Sequence, residues 1–170
     1  MRFALAVLAA VAVAAMTTTP ATAAPAGSTT TRIKFTTTLD SQQRMLEQVG
    51  RGGVKTYGWN ELTGTASTDS GDVQIQLLGN VDYVNGSGPF FGFVTMKFAS
   101  LSTLGLRIVD GRARVRDDGT TGLRSRLRVI GGNAAMTGAT GTGTMTGGRR
   151  EELGTAIELT FDLRIRGITS

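Results

Sequence analysis

Tyr57, Trp59 and Glu61 stand two residues apart, so in an extended chain they share one face. A carboxylate set among aromatics loses water around its charge, and that desolvation raises its hold on a proton. Glu61 is therefore the candidate acid or base for proton transfer, with the Tyr57 phenol as a second catalytic group. The plainer alternative is a solvent-facing glutamate at a rim. Trp59, Tyr83, Phe91, Phe93 and Phe161 are expected on inward-looking faces, where they would line an apolar substrate pocket with a few polar tips. A filled core, whose Tyr and Trp find internal partners, is the competing reading.

Other chemistries are missing from the alphabet of the chain. It has no histidine and no cysteine. That removes Ser-His and Cys-His nucleophile pairs, the usual zinc sites, disulfides and a lipidated cysteine. The glycine-rich run from Gly131 to Gly148 contains no Gly-Lys-Ser or Gly-Lys-Thr, and a strand follows it where a phosphate or dinucleotide loop needs a helix. No cofactor and no metal are expected. Arg112, Arg114 and Arg116 alternate on one stretch and Arg124, Arg126 and Arg128 on the next. Both sets fit one outer surface, either an anion-binding stripe for cell-wall polymer or nucleic acid or a solvated face offset by nearby acids. The formal net charge is only +5, and no aromatics interleave for base stacking, which favours the solvated face and no nucleic-acid partner.

These residues need elements to hold them, and the two-residue period of half-buried strands recurs along the chain. Ile33, Phe35 and Leu39 alternate with Arg32, Lys34 and Thr38 in a first strand. Val73, Ile75, Leu77, Val81 and Tyr83 alternate with Gln74, Gln76, Asn80 and Asp82 in the clearest one. Asn85-Gly86 is a favoured hairpin pair. From Gly88 to Phe98 both sides are apolar, Phe91 and Phe93 on one and Phe90, Val94, Met96 and Phe98 on the other. Such a strand is buried on both faces, the outer one under a helix or a second copy of the chain. Leu104 to Val115, Leu123 to Ile130, a Thr-lined strand from Thr140, and Leu153 to Ile165 complete about eight strands. Asp40 to Val49 is the one helical candidate, capped by Asp40 and stopped by Gly50, with a loop carrying a single turn as its alternative. The fold class is all-β, an eight-stranded antiparallel barrel with at most one short helix, whose interior is filled by side chains or holds one small ligand.

The run Val129 to Gly147, VIGGNAAMTGATGTGTMTG, resembles the strand, Gly-Gly corner and returning strand of the allene oxide cyclase and dirigent barrel superfamily, particularly its small secreted bacterial members. Asn133, Ala134 and Met136 stand where that family usually has Thr-Gly and an aromatic. In this reading Gly131-Gly132 pins the barrel closure, and Met136 tucks under the sheet. The resemblance implies a metal-free and cofactor-free isomerase or cyclase, or a stereo-directing protein, that orients an apolar small molecule and keeps water from it. It also implies packing as a homotrimer. The acidic residues that plant members use have no local motif here, and none is carried over. A non-catalytic extracellular carrier or cell-surface structural protein is the alternative. An apolar cavity of about 300 Å³ or more is what the ligand-binding reading requires.

Met1-Arg2, the apolar run Phe3 to Met16 and small residues at Ala21 and Ala23 predict a secretory signal peptide over 1–23, cleaved after Ala23. The run is short of the ~20 residues a membrane helix needs, so no membrane span is expected after cleavage and the protein is expected to be secreted. A flexible leader over 24–31 and a single barrel domain over 32–170 follow.

Overall fold

The computed structural model describes residues 29–69, 71–150 and 152–168. The predicted signal peptide and residues 24–28 of the leader lie outside them. Eight strands run antiparallel to their neighbours and close into a barrel: β1 (Thr30–Val49), β2 (Lys55–Thr68), β3 (Gly71–Val84), β4 (Gly88–Phe98), β5 (Thr103–Val115), β6 (Thr121–Gly132), β7 (Thr140–Arg149) and β8 (Ile157–Arg166). Closure leaves no sheet edge unpaired, which suits a chain that has no disulfide to hold it.

Alternation does the positioning. Val73, Ile75 and Leu77 of β3 point inward with Val94 and Met96 of β4, while Gln74 and Gln76 face out. β8 contributes Leu159, Phe161, Leu163 and Ile165, all fully buried. Phe161 packs on Phe35 of β1 with ring centroids 5.2 Å apart. Asn85 and Gly86 both take positive φ between β3 and β4, the backbone a two-residue hairpin turn demands. Met136 sits in a single 3-10 turn, Ala134–Met136, and is buried under one end of the barrel.

Residues 40–49 form strand, where a helix or a loop with one turn was expected. β1 pairs with β8 from Thr30 to Leu39 and with β2 from Asp40 to Val49, with a bulge between Ser41 and Gln43. A helix of that length is marginal in water, whereas extended backbone satisfies the β2 edge from Lys55 to Thr63. The bulge also exchanges the faces: Phe35 and Leu39 point inward before it, and Leu46 packs toward the core after it.

The seam differs from expectation too. Closure is made by β1 against β8, and Gly131-Gly132 pairs with Gly105 and Leu104 of β5. A Cβ on Gly132 would lie 2.6 Å from both the Thr103 carbonyl oxygen and the Met136 Cβ. The glycine is needed where the 3-10 turn packs down. It does not pin the seam.

Candidate functional site

At one end of the barrel gather the last residues of β3, β5 and β7 and the first of β4, β6 and β8. There an open groove of about 1240 Å³ crosses the rim. Gly122 and Gly148, cross-strand partners without side chains, form part of its wall. Six arginines line it: Arg112, Arg114, Arg116, Arg124, Arg149 and Arg150. Asp118 and Glu158 are the acids among its lining residues. Asp118 is engaged elsewhere, accepting from the Thr120 backbone N–H at 2.9 Å and the Thr120 hydroxyl at 2.7 Å, which holds its carboxyl below the usual carboxylate range.

Arg149 is the unusual member. Strand alternation places Met145, Gly147 and Arg149 on the inner face of β7, and Arg149 is only 7% exposed. Its guanidinium carbon lies 5.9 Å from the centroid of the buried Tyr83 ring. Its Nε is buried and has no hydrogen-bond partner. Burial pulls the Arg149 pKa below its ordinary value, with Tyr83 opposing that shift. Burial likewise pushes the Tyr83 phenol up to about 12, against the pull of Arg149, so it is a neutral hydrogen-bonding group at physiological pH. Among the described residues, Arg149 makes no ion pair.

Arg149, Leu123 and Ile157 also line a second, inner space of about 50 Å³, walled by Leu62, Leu77, Val81, Phe90 and Met145 around Tyr83. Loop residues Leu153, Gly154 and Thr155 complete its wall. That volume is far below the ~300 Å³ of an ordinary ligand pocket. The expected roomy apolar interior is therefore corrected to a packed core with a small space beneath its mouth.

Of the residues singled out in the sequence, Tyr83 and Phe161 point inward. Tyr83 lines the inner space, whereas Phe161 lies in the packed core. Tyr57, Trp59, Phe91 and Phe93 lie on the outer face, which corrects the inward placement expected for them; Glu61 lies there too, on the solvent-facing side that its plainer alternative required. The reason is steric: the inward positions of β2 are taken by the smaller Asn60, Leu62 and Ala66, because Tyr83 and Phe90 already occupy the interior. The structure nevertheless brings the five together outside. Trp59 pairs across Asn80 to Phe91, and Glu61 pairs across Leu78 to Phe93. Glu61 accepts a 2.6 Å hydrogen bond from the Gln76 amide. Phe91 and Phe93 are 47% and 50% exposed, so nothing among the described residues covers the outer side of β4. Arg149 was missed because it stands in Gly-Gly-Arg-Arg, which reads as a turn; extending the Met145 alternation by four residues would have found it.

No helix among the described residues is long and apolar enough to cross a membrane. Among the same residues, no cluster of acids could hold a metal ion.

No protein-family model matches the chain, and no curated protein matches it in sequence. Its fold is similar to that of the pterocarpan synthase dirigent protein GePTS1, with a TM-score of 0.53, 13% identity, and coverage of 87% of this chain and 90% of that one. At that identity the likeness is one of fold: this chain is a dirigent-like eight-stranded barrel.

Proposed function

We propose that this chain is a secreted, dirigent-like barrel that binds a small molecule at its arginine-lined mouth and holds it in one orientation. The observation that carries the reading is that Arg149, Leu123 and Ile157 line both the open groove and the inner space. One end of the ligand reaches Arg149 beside Tyr83, and the remainder lies in the groove. No carboxylate lines the inner space among the described residues, which favours binding and orientation, as a steering protein or carrier, over acid–base catalysis at that point. Any isomerisation or cyclisation there would draw on orientation and exclusion of water.

The outer aromatic face of β2 to β4 fits contact with further copies of the chain, in keeping with a homotrimer. Contiguous exposed apolar residues of this kind mark interaction surfaces. The test is native mass spectrometry of the secreted protein, read for a co-purified small molecule and for the assembly mass. A bound molecule displaced by Leu123→Trp, which adds bulk at a residue lining both spaces, supports the reading. A ligand-free protein whose mouth amides are unmoved by any of a panel of small aromatic and aliphatic compounds removes it.

A further inference from the structure

We propose that the groove takes a ligand carrying at least two anionic groups, carboxylate or phosphate, one paired with Arg149 inside the rim and another held by Arg112 and Arg124 outside it. This rests on the mouth-binding reading above and adds the chemical class of the ligand.

The first observation is a pair of like charges set opposite one another at the groove. Arg112 and Arg124 are direct cross-strand partners, so their Cα atoms lie roughly 4.5–5.5 Å apart. Like charges set opposite one another destabilise a sheet. Three other cations are paired, Arg126 with Asp110 at 2.7 Å, Arg32 with Asp162 at 2.6 Å and Lys55 with Asp82 at 3.0 Å, while Arg107 and Arg128 repeat the arginine-opposite-arginine register away from the groove; what sets Arg112 and Arg124 apart is that both line it. Among the described residues neither Arg112 nor Arg124 has an acid at ion-pair distance; Asp110, bound to Arg126, feels the charge of Arg112 only from farther off. Arg116 adds to the excess, its guanidinium lying 2.7 Å from where a side chain on Gly122 would begin.

The second observation is independent of the first and lies inside the barrel. A guanidinium taken out of water is strongly disfavoured unless an anion answers it. Arg149 is more than nine-tenths buried, its Nε has no partner, and the group beside it is a neutral phenol. Guanidinium is the side chain whose planar fork matches carboxylate and phosphate with two parallel hydrogen bonds. An anion entering from the groove supplies the missing counter-charge.

The register gives the spacing. Arg124 pairs with Thr146, three residues from Arg149 along β7, which puts the two anionic groups on the order of 10 Å apart across the rim. A linear molecule with charged ends and an apolar middle fits, its middle crossing the bare wall at Gly122 and Gly148.

The test titrates the full chain with octanedioate, octanoate, octan-1-ol and inorganic tripolyphosphate, following backbone amide NMR shifts. Octanedioate is expected to bind about tenfold or more tighter than octan-1-ol, with octanoate between them, and to lose that advantage in about 0.5 M salt. Its shifts should centre on Leu123, Gly148 and Arg149. Arg149→Met and the double variant Arg112→Gln/Arg124→Gln should each abolish the advantage, and the surface pair keeps the test valid if Arg149→Met fails to fold. Tight binding of tripolyphosphate in place of octanedioate supports the anionic site and assigns it to phosphate. The inference is overturned if octan-1-ol binds at the mouth as tightly as both anions, a result that leaves the mouth-binding reading standing. It is equally overturned if the advantage of the anions survives both sets of substitutions. Silence from all four compounds removes both readings.

Discussion

Two outer surfaces of the barrel carry residues that do not look like ordinary solvent-facing ones. Across β2 to β4 they are aromatic, with Trp59, Phe91 and Phe93 in adjacent registers; across β5 and β6 they are cationic, with Arg112 opposite Arg124. Each surface lacks its complement among the described residues, and the complements are different in kind. An apolar sheet face is answered by another apolar face, whereas a cluster of guanidinium groups is answered by anions. The barrel wall is the same construction in both places. What differs is the residue set on the outward positions, and those positions are free to differ because the inward ones alone fix the fold.

The largest effect that could break this comparison is in the core. Phe161→Ala, deep in β8 against Phe35, should cost about 3–5 kcal/mol in urea unfolding. Phe93→Ser removes the same aromatic ring from the outer face and should change monomer stability by less than about 1 kcal/mol. Its effect is expected in sedimentation, as a smaller assembly mass. If Phe93→Ser unfolds the monomer as Phe161→Ala does, the outer face is part of the fold and the contrast fails.

Next in size is the alkaline limit set by the mouth. The Tyr83 phenol is raised in the folded state, so its contribution is fully present below the unfolded pKa of about 10 and is lost as pH climbs toward about 12. A two-unit shift corresponds to about 2–3 kcal/mol over that window. Unfolding measured from pH 9 to 12 should therefore show a steeper fall for the wild type than for Tyr83→Phe. Parallel curves would mean that water reaches the phenol.

Arg149→Met sharpens the same point with a smaller change of opposite sign. Replacing a buried cation that has no acid partner with an apolar chain of similar length should stabilise the barrel by about 1–2 kcal/mol, read as a higher melting temperature. A lower one would show that the contact with Tyr83 outweighs the lost hydration.

How much of this was legible beforehand follows from which face dominated each strand. Val73 to Tyr83 could be read with little ambiguity, because apolar and polar residues alternate apart from the outward Leu78 and the inward Gly79. Asn85-Gly86, Met136 and the Thr-lined β7 were legible for equally local reasons. On β2 the two faces compete, and bulk pointed the wrong way. Tyr57 and Trp59 outweigh Asn60, Leu62 and Ala66 in apolar area, yet the room available inside depends on Tyr83 of β3 and Phe90 of β4, far along the sequence. Residues 40–49 failed similarly: Met45, Leu46 and Val49 have helical spacing, and the partner that makes them extended is β2. Arg149 was hidden because the chain around it reads as a turn, while the cost of its burial exists only once the barrel has closed.

The smallest effects separate a cation that is answered from one that is not. Asp162 accepts two hydrogen bonds from Arg32 across the β1–β8 seam, at 2.9 and 2.6 Å, and its carboxyl is held below the usual carboxylate range chiefly by them. A depressed folded pKa means that the stabilisation is present above the unfolded value of about 3.9 and is lost as pH falls through the folded one. Asp162→Asn should therefore lower the urea midpoint slightly at about pH 6 and leave it unchanged near about pH 2. Arg124→Gln deletes one exposed charge in the same way, yet it should raise the midpoint at about pH 6, because it relieves the repulsion from Arg112 opposite. Opposite signs are the expected result for two surface substitutions of the same size. Matching signs would mean that an acid within the folded chain already answers Arg124, and the groove would then have less need of an anion from outside.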